Sequence, residues 1–204
     1  MIAIINMGIA NVGSVKNMLN RLGAEVEITS QKETLASAKA IILPGVGNFD
    51  AGIKAIRSLD CFTELEKIAL HGNIPILGIC LGMQLMTKSS MEGQERGLGW
   101  VDAVTEKLSE DDGKIPNMGW RYVEHLNHTF LSPSNNTNER FYFVHSYSVK
   151  CKNKDIIAMI SEGDHSIVAG YISGNIVGVQ FHPEKSHLHG FAFFKRWLTF
   201  NNLI

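Results

Sequence analysis

The stretch PILGICLGMQLM, Pro75–Met86, decides how the rest of the chain is read. The apolar run IPILGI meets a helix-like segment at Cys80, and the cysteine stands between glycines as Gly78-x-Cys80-x-Gly82. That is the spacing of a nucleophile elbow, a sharp strand-to-helix turn with the reactive side chain at its apex. Side chains at positions 78 and 82 would collide where the backbone folds back. The N-terminus of the helix that follows supplies partial positive charge and free N–H groups, which favour a thiolate and can hold an oxyanion. On spacing alone, a buried structural cysteine fits as well, because cysteine behaves as a small hydrophobe.

Upstream, the elbow is fed by alternating strands and helices. IAIIN (2–6) and AIIL (40–43) read as short buried strands, and AEVEIT (24–29) alternates as a strand. SVKNMLNRLG places Val15, Met18, Leu19 and Leu22 at helical spacing, with Gly23 where a C-terminal cap belongs. Further helices are expected around Ala51–Leu59 and Phe62–His71. Such alternation implies an α/β fold, a largely parallel sheet covered by helices on both faces, with function in loops at the carboxyl ends of the strands. From Gly97 onward the segments are shorter and strand-rich, predicting a smaller antiparallel part. It includes a hairpin in YISGNIVGVQ, a surface loop at LSPSNNTNER, and a final helix in HGFAFFKRWLTF burying Phe191, Phe194, Trp197 and Leu198. No linker or repeat divides residues 1–204, which read as one domain.

Composition narrows the classes. The 204 residues are 45% hydrophobic and 19% charged, with 19 basic and 20 acidic side chains, so no polyanion-binding surface is expected. No apolar run is long enough to span a bilayer, and the N-terminus lacks a basic leader. Three scattered cysteines suit a reducing, cytoplasmic setting better than a disulfide framework, and Cys61 and Cys151 need no chemistry. No dinucleotide loop, P-loop or metal-ligand pattern is present, so no cofactor and no metal are expected.

A thiol nucleophile needs a base, and VGVQFHPEKSH offers one. An apolar strand ends at Phe181 and is followed by His182, Pro183 and Glu184. In extended chain alternate residues share a side, so the Glu184 carboxylate can hold the His182 imidazole in one tautomer. The alternative is a solvated turn with an incidental histidine. Cys–His–Glu at strand ends implies acyl transfer through a thioester. LPGVGNF is a second source of oxyanion stabilisation, since Gly45 and Gly47 let a peptide turn its N–H inward; otherwise it is a plain connection.

Taken together, PGVG, GICLGMQ and HPE resemble, in identity and order, the class I (triad) glutamine amidotransferases. GLGW (97–100), IPNMGW (115–120), FYFVHSYSV (141–149), HPEKSH (182–187) and GIANVGSVKN near the N-terminus are most similar to the glutaminase subunits of imidazole glycerol phosphate synthases. The resemblance implies hydrolysis of L-glutamine to glutamate and ammonia, with Cys80 as nucleophile, His182 as base and Glu184 orienting it. It implies oxyanion donors at Gly47 and Leu81. Glutamine would be bound by Gly45, Gly47, Gly82, Gln84, His145, Ser146 and Tyr147, although Gln84 also reads as a solvent-facing helix residue. It further implies a separate TIM-barrel cyclase subunit that receives the ammonia, docked through Asn11, Met118, Trp120, Tyr142 and Lys185. Trp120 and Tyr142 could equally be core aromatics.

One departure from the family pattern stands beside the Met-Gly-Trp motif, where Asn117 and Arg121 replace the usual histidine and asparagine. Partner identity is thereby opened to a paralogous role, supplying ammonia for amidation of a surface-polysaccharide sugar. A non-catalytic scaffold and a cysteine peptidase of similar fold are the remaining alternatives. The intact triad argues against the first, and HPE together with GMQ argues against the second.

Overall fold

The computed structural model describes all residues except Asn73 and residues 110–113, 127–128, 134–137 and 162–166. The centre of the expected surface loop at 131–140, with His128 and His165, lies outside the described residues.

Four strands open the chain: β1 (Ile2–Ile5), β2 (Val26–Thr29), β3 (Ala40–Gly45) and β4 (Ile76–Cys80). Between them run α1 (Val12–Arg21), α2 (Lys32–Ala36), α3 (Phe49–Arg57) and α4 (Phe62–His71). After the elbow come α5 (Leu81–Leu85), then β5 (Ala103–Lys107), β6 (Asn117–His125), β7 (Glu139–His145), β8 (Tyr147–Cys151), β9 (Ile157–Ser161), β10 (Ile167–Ser173), β11 (Ile176–Val179) and α6 (His187–Phe200). Nine strands form one sheet in the order β2-β1-β3-β4-β11-β10-β9-β6-β7, and β5 and β8 form a separate ribbon.

The parallel half is β2-β1-β3-β4-β11, and the strand-rich C-terminal part continues that sheet through antiparallel pairs. The hairpin expected in YISGNIVGVQ is β10–β11, turning at Gly174. It returns β11 to lie parallel to β4, which brings the end of β11 beside Cys80. FYFVHSYSV does not form one strand. It breaks at Ser146, with β7 in the large sheet and β8 in the ribbon.

Both sheet faces are covered, as near-continuous apolar runs in β1, β3 and β4 require. One face packs Leu35, Ile53, Ile56 and Leu65 from α2, α3 and α4 against Ile41 and Leu43. The other packs Val15 and Leu19 of α1 and the aromatic face of α6 against Ile42, Leu77 and Phe181. In α6 the buried aromatic is Phe193, alongside Phe194, Trp197 and Leu198, while Phe191 is only half-buried. The reason is packing: Phe193 sits edge-on to Phe181, at 5.4 Å between ring centres, and Phe181 stacks on Phe141 at 3.9 Å. Asn11 has a structural task, its Oδ1 accepting from Ser14 N to cap α1. Among the described residues no helix is long and apolar enough to cross a membrane.

Candidate active site

The chain passes from β4 into α5 without an intervening residue, so Cys80 takes the whole turn. Its backbone lies at φ 54°, ψ −111°, a conformation that costs a non-glycine residue roughly 1–3 kcal/mol. The neighbouring glycines make the bend physically possible. A Cβ on Gly82 would collide with the carbonyl oxygen of Leu43, and one on Gly78 with Met86 and the Met83 amide. The strained position and its two obligatory glycines are the elbow expected from the spacing, although α5 is a helix of little more than one turn.

The β11 hairpin supplies the base. Gln180, His182 and Glu184 follow one another at alternate positions, and a one-turn 3₁₀ helix at Pro183–Lys185 stops the chain. His182 Nδ1 lies 2.8 Å from Glu184 Oε1, with side chains only 1% and 5% exposed. The carboxylate therefore fixes the proton on Nδ1 and leaves Nε2 for Cys80. That nitrogen is buried and makes no hydrogen bond of good geometry, a looseness usual in catalytic sites without substrate. Burial depresses the imidazole pKa, but interaction with Cys80 and Glu184 outweighs it and raises it to about 10. The ring is thus held as a cation beside the Cys80 sulfur. The segment after β11 that carries the base is tied to the sheet edge: His182 N donates to Tyr142 O at 2.9 Å, and Tyr142 N donates to Ser186 Oγ at 3.0 Å.

Cys80 and His182 open into a cavity of about 390 Å³, at the small end of small-molecule sites. Gly47, Leu81, Gln84, His145, Ser146 and Tyr147 line it, while Gly45 and Gly82 shape the backbone behind it. Gly47 lies at φ 100° in the turn after β3, a left-handed conformation that suits glycine. Glu184 lines a second depression, of about 600 Å³, with Lys185, His187 and Leu188.

Gln84 is not on a solvent face. It is buried, and its Nε2 donates both to Tyr147 O at 3.0 Å and to Gln180 Oε1 at 2.9 Å. His145 is also buried, with Nδ1 2.8 Å from Tyr147 O and Nε2 2.9 Å from Asn117 Nδ2. Burial, chiefly, lowers its pKa to about 4, the His182 charge adding to the effect, so it is neutral at pH 7.

Two residues of the site went unrecognised in the sequence. Gln180 is fully buried with Nε2 3.8 Å from Cys80 Sγ, and its signal was legible: it precedes His182 by two residues, although β11 ends at Val179, two residues short of the strand end expected at Phe181. Glu92 lines the cavity, and its Oε2 accepts from Phe49 N at 2.8 Å. Asp50 answers from α3, accepting from Gln94 N and Glu95 N at 3.0 Å each, so two carboxylates latch this loop to α3. No local pattern in MEGQERG announces that.

Of the expected docking residues, Met118 and Trp120 sit on β6, Tyr142 on β7 and Lys185 in the turn after β11, whereas Asn11 caps α1. Met118, Trp120 and Tyr122, alternate residues on one face, are 55%, 39% and 47% exposed. Trp120 stacks on His187 at 5.6 Å and meets the Tyr142 ring edge-on at 6.3 Å, with the Arg140 guanidinium 5.4 Å from its ring. Lys185 Nζ lies 5.9 Å from the Tyr142 ring. Trp120 is therefore not a core aromatic.

An elbow cysteine with a buried His–Glu pair at the carboxyl edge of a mostly parallel sheet is the arrangement of a thiol-dependent acyl-transfer enzyme, and the chain belongs to the class-I glutamine amidotransferase family, whose sequence profile matches residues 3–197. It is 44% identical over 199 residues to imidazole glycerol phosphate synthase subunit HisH 2 of Methanococcus maripaludis, covering 97% of this chain and 98% of that one. The subunit HisH 2 of Pseudomonas aeruginosa is 40% identical over 200 residues, with 97% and 98% covered. HisH of Leptospira borgpetersenii is 35% identical over 204 residues, with 98% and 100% covered. In fold the chain is similar to a glutamine amidotransferase crystal structure (TM-score 0.78, 20% identity, 98% of each chain). It is similar also to PurLQS from Thermotoga maritima (TM-score 0.76, 20% identity, 98% and 97% covered).

Proposed function

We propose that the chain is the glutaminase subunit of an imidazole glycerol phosphate synthase, releasing ammonia from L-glutamine in histidine biosynthesis. The observation that carries this is the single cavity in which Cys80, His182, Gln84, Glu92 and His145 meet. Relatives named as that subunit, matched end to end, support it.

Glutamine enters with its carboxamide toward Cys80. Its ammonium suits the Glu92 carboxylate, and its α-substituents face Gln84 and the His145–Tyr147 turn. Cys80 Sγ attacks the carboxamide carbon, and the oxyanion is received by the Leu81 N–H and the peptide N–H at Gly47. His182 passes its Nε2 proton to the departing nitrogen. The C–N bond breaks, ammonia leaves, and a γ-glutamyl thioester remains on Cys80. His182 then takes a proton from water as the water oxygen attacks the thioester. The C–S bond breaks, glutamate leaves, and the thiolate–imidazolium pair is restored.

Residues 1–204 act as one domain, because the large sheet runs from β1 to β11. The partner is a TIM-barrel cyclase that seats on Met118, Trp120, Tyr142 and Lys185, with Tyr122 extending the stripe. Sheltered transfer keeps ammonia from bulk water, where it would take up a proton. Free thiols at Cys61, Cys80 and Cys151 suit the cytoplasm.

The test is glutamate release by the chain alone and with the cyclase carrying its ligand, against Cys80→Ala. Activity that needs partner and ligand and vanishes in the variant is the expected result; no glutamate from any combination of folded proteins overturns the reading. The replacements at Asn117 and Arg121 favour a second reading, ammonia supply for amidation of a surface-polysaccharide sugar. It is distinguished by which partner's ligand activates.

A further inference from the structure

The two residues that depart from the family pattern are joined to the nucleophile by an unbroken series of hydrogen bonds. Arg121 Nε donates to Asn117 Oδ1 at 3.0 Å, and Asn117 Nδ2 meets His145 Nε2 at 2.9 Å. His145 Nδ1 meets Tyr147 O at 2.8 Å, and the same carbonyl accepts from Gln84 Nε2 at 3.0 Å. Gln84 Nε2 also donates to Gln180 Oε1, whose amide nitrogen faces Cys80 Sγ. We propose that Arg121 and Asn117 are positioning residues for the glutamine site: they hold His145 as its Nδ1–H tautomer and, through the shared Tyr147 carbonyl, hold Gln84 and Gln180 beside Cys80.

The direction of every bond is dictated by its two ends. A guanidinium can only donate and a peptide carbonyl can only accept. Arg121 therefore fixes the Asn117 amide with its oxygen toward β6 and its NH₂ toward His145. That leaves His145 Nε2 as the acceptor and puts its hydrogen on Nδ1, where the Tyr147 carbonyl needs a donor. From the other side, Gln84 spends both amide hydrogens on Tyr147 and Gln180 and keeps its oxygen for the cavity. Gln180, its oxygen engaged, presents an N–H to the sulfur. Without Arg121 the Asn117 amide is free to flip. Its oxygen would then face the bare Nε2, an arrangement relieved only by moving or adding a proton on His145.

The other groups facing His145 do not hold this tautomer. His182 and Cys80 lie across the cavity and Glu92 on its wall, none hydrogen-bonded to the ring. The series also starts where a partner would bear on it. Asn117 and Arg121 alternate along β6 with Met118, Trp120 and Tyr122, whose exposed side chains occupy the opposite face.

The inference rests on the glutaminase reading for its kinetic arm only. Glutamine Nε2 is as many bonds from Cα as arginine Nε, so Arg121→Gln keeps a donor in place, Arg121→Met removes it, and Arg121→Glu replaces it with acceptors. In ¹⁵N-histidine-labelled protein at pH 7, wild type and Arg121→Gln should show His145 with a protonated Nδ1 and a bare Nε2. Arg121→Met and Arg121→Glu should show mixed tautomers or an imidazolium. In the complex, the KM for glutamine should rise about fivefold to tenfold in Arg121→Met, the size of one lost buried hydrogen bond, with kcat changed less, and return to within about twofold in Arg121→Gln. A wild-type His145 protonated on Nε2 overturns the proposal, as does equal behaviour of the Gln and Glu variants. The labelled spectra need no turnover, so a wild type that releases no glutamate would sink the functional reading and leave this inference to be judged on its tautomer.

Discussion

Replacing Glu184 with Gln tests the triad at the carboxylate that orients its base. The substitution keeps size and shape, and the Gln oxygen can still accept from His182 Nδ1–H, so the imidazole stays in its tautomer. What disappears is the negative charge 2.8 Å from the ring, at a side chain 5% exposed, where water cannot replace it. A hydrogen bond to a charged group is worth about 1.5–3 kcal/mol, against about 1 for a neutral one. In this buried pair we take the upper part of that range, about 2–3 kcal/mol, which is about 30- to 150-fold in kcat. The sign of the pH effect follows from the cause. Glu184 helps raise the His182 pKa to about 10, so its loss lowers that value and the alkaline limb of kcat moves to lower pH. The assay is glutamate release in the activated complex at saturating glutamine from pH 6 to 10, with circular dichroism confirming the fold. A kcat within threefold of wild type and an unmoved alkaline limb would refute the role given to Glu184.

A second buried pair tests stability instead. Glu139 Oε2 lies 2.6 Å from Arg196 Nη2 and 3.0 Å from His125 Nε2, and though burial pushes its pKa up, these partners lower it overall. Its stabilisation is present above the ordinary carboxylate pKa and is lost as pH falls through the lowered one. Glu139→Gln should cost about 3 kcal/mol in urea unfolding at pH 7, because it strands a largely buried arginine, and progressively less as pH falls through the lowered pKa of Glu139. Gly82→Ala forces a Cβ against the Leu43 carbonyl; it should cost about 1–3 kcal/mol and reduce alkylation of Cys80 by iodoacetamide, and an unchanged thermal midpoint would contradict the close approach. Trp120→Ala should weaken cyclase binding by about 2 kcal/mol or more, measured by calorimetry, while leaving the free chain's stability within about 0.5 kcal/mol.

Much of this protein was legible in one dimension because its constraints are local. Gly78-x-Cys80-x-Gly82 reads as an elbow because a backbone that folds back tolerates no Cβ at those two positions, and the structure places Leu43 and Met86 there. His182 and Glu184 are marked as a pair by their spacing of two residues, although the structure closes that pair through the one-turn 3₁₀ helix at Pro183–Lys185 rather than along extended chain. The apolar runs of β1, β3 and β4 announced a sheet covered on both faces for the same kind of reason. Tertiary structure alone decided what lies between distant segments. That Phe193 rather than Phe191 enters the core depends on where Phe181 stands across the sheet. That Glu92 reaches the cavity depends on a loop latched to α3 by Asp50. That Arg121, 41 positions from Cys80 in sequence, is tied to it through Asn117, His145, Tyr147, Gln84 and Gln180 depends on β6, β7, α5 and β11 converging. Hydrogen bonds are short and directional, so a sequence shows which groups can donate or accept, and only the fold chooses the partners.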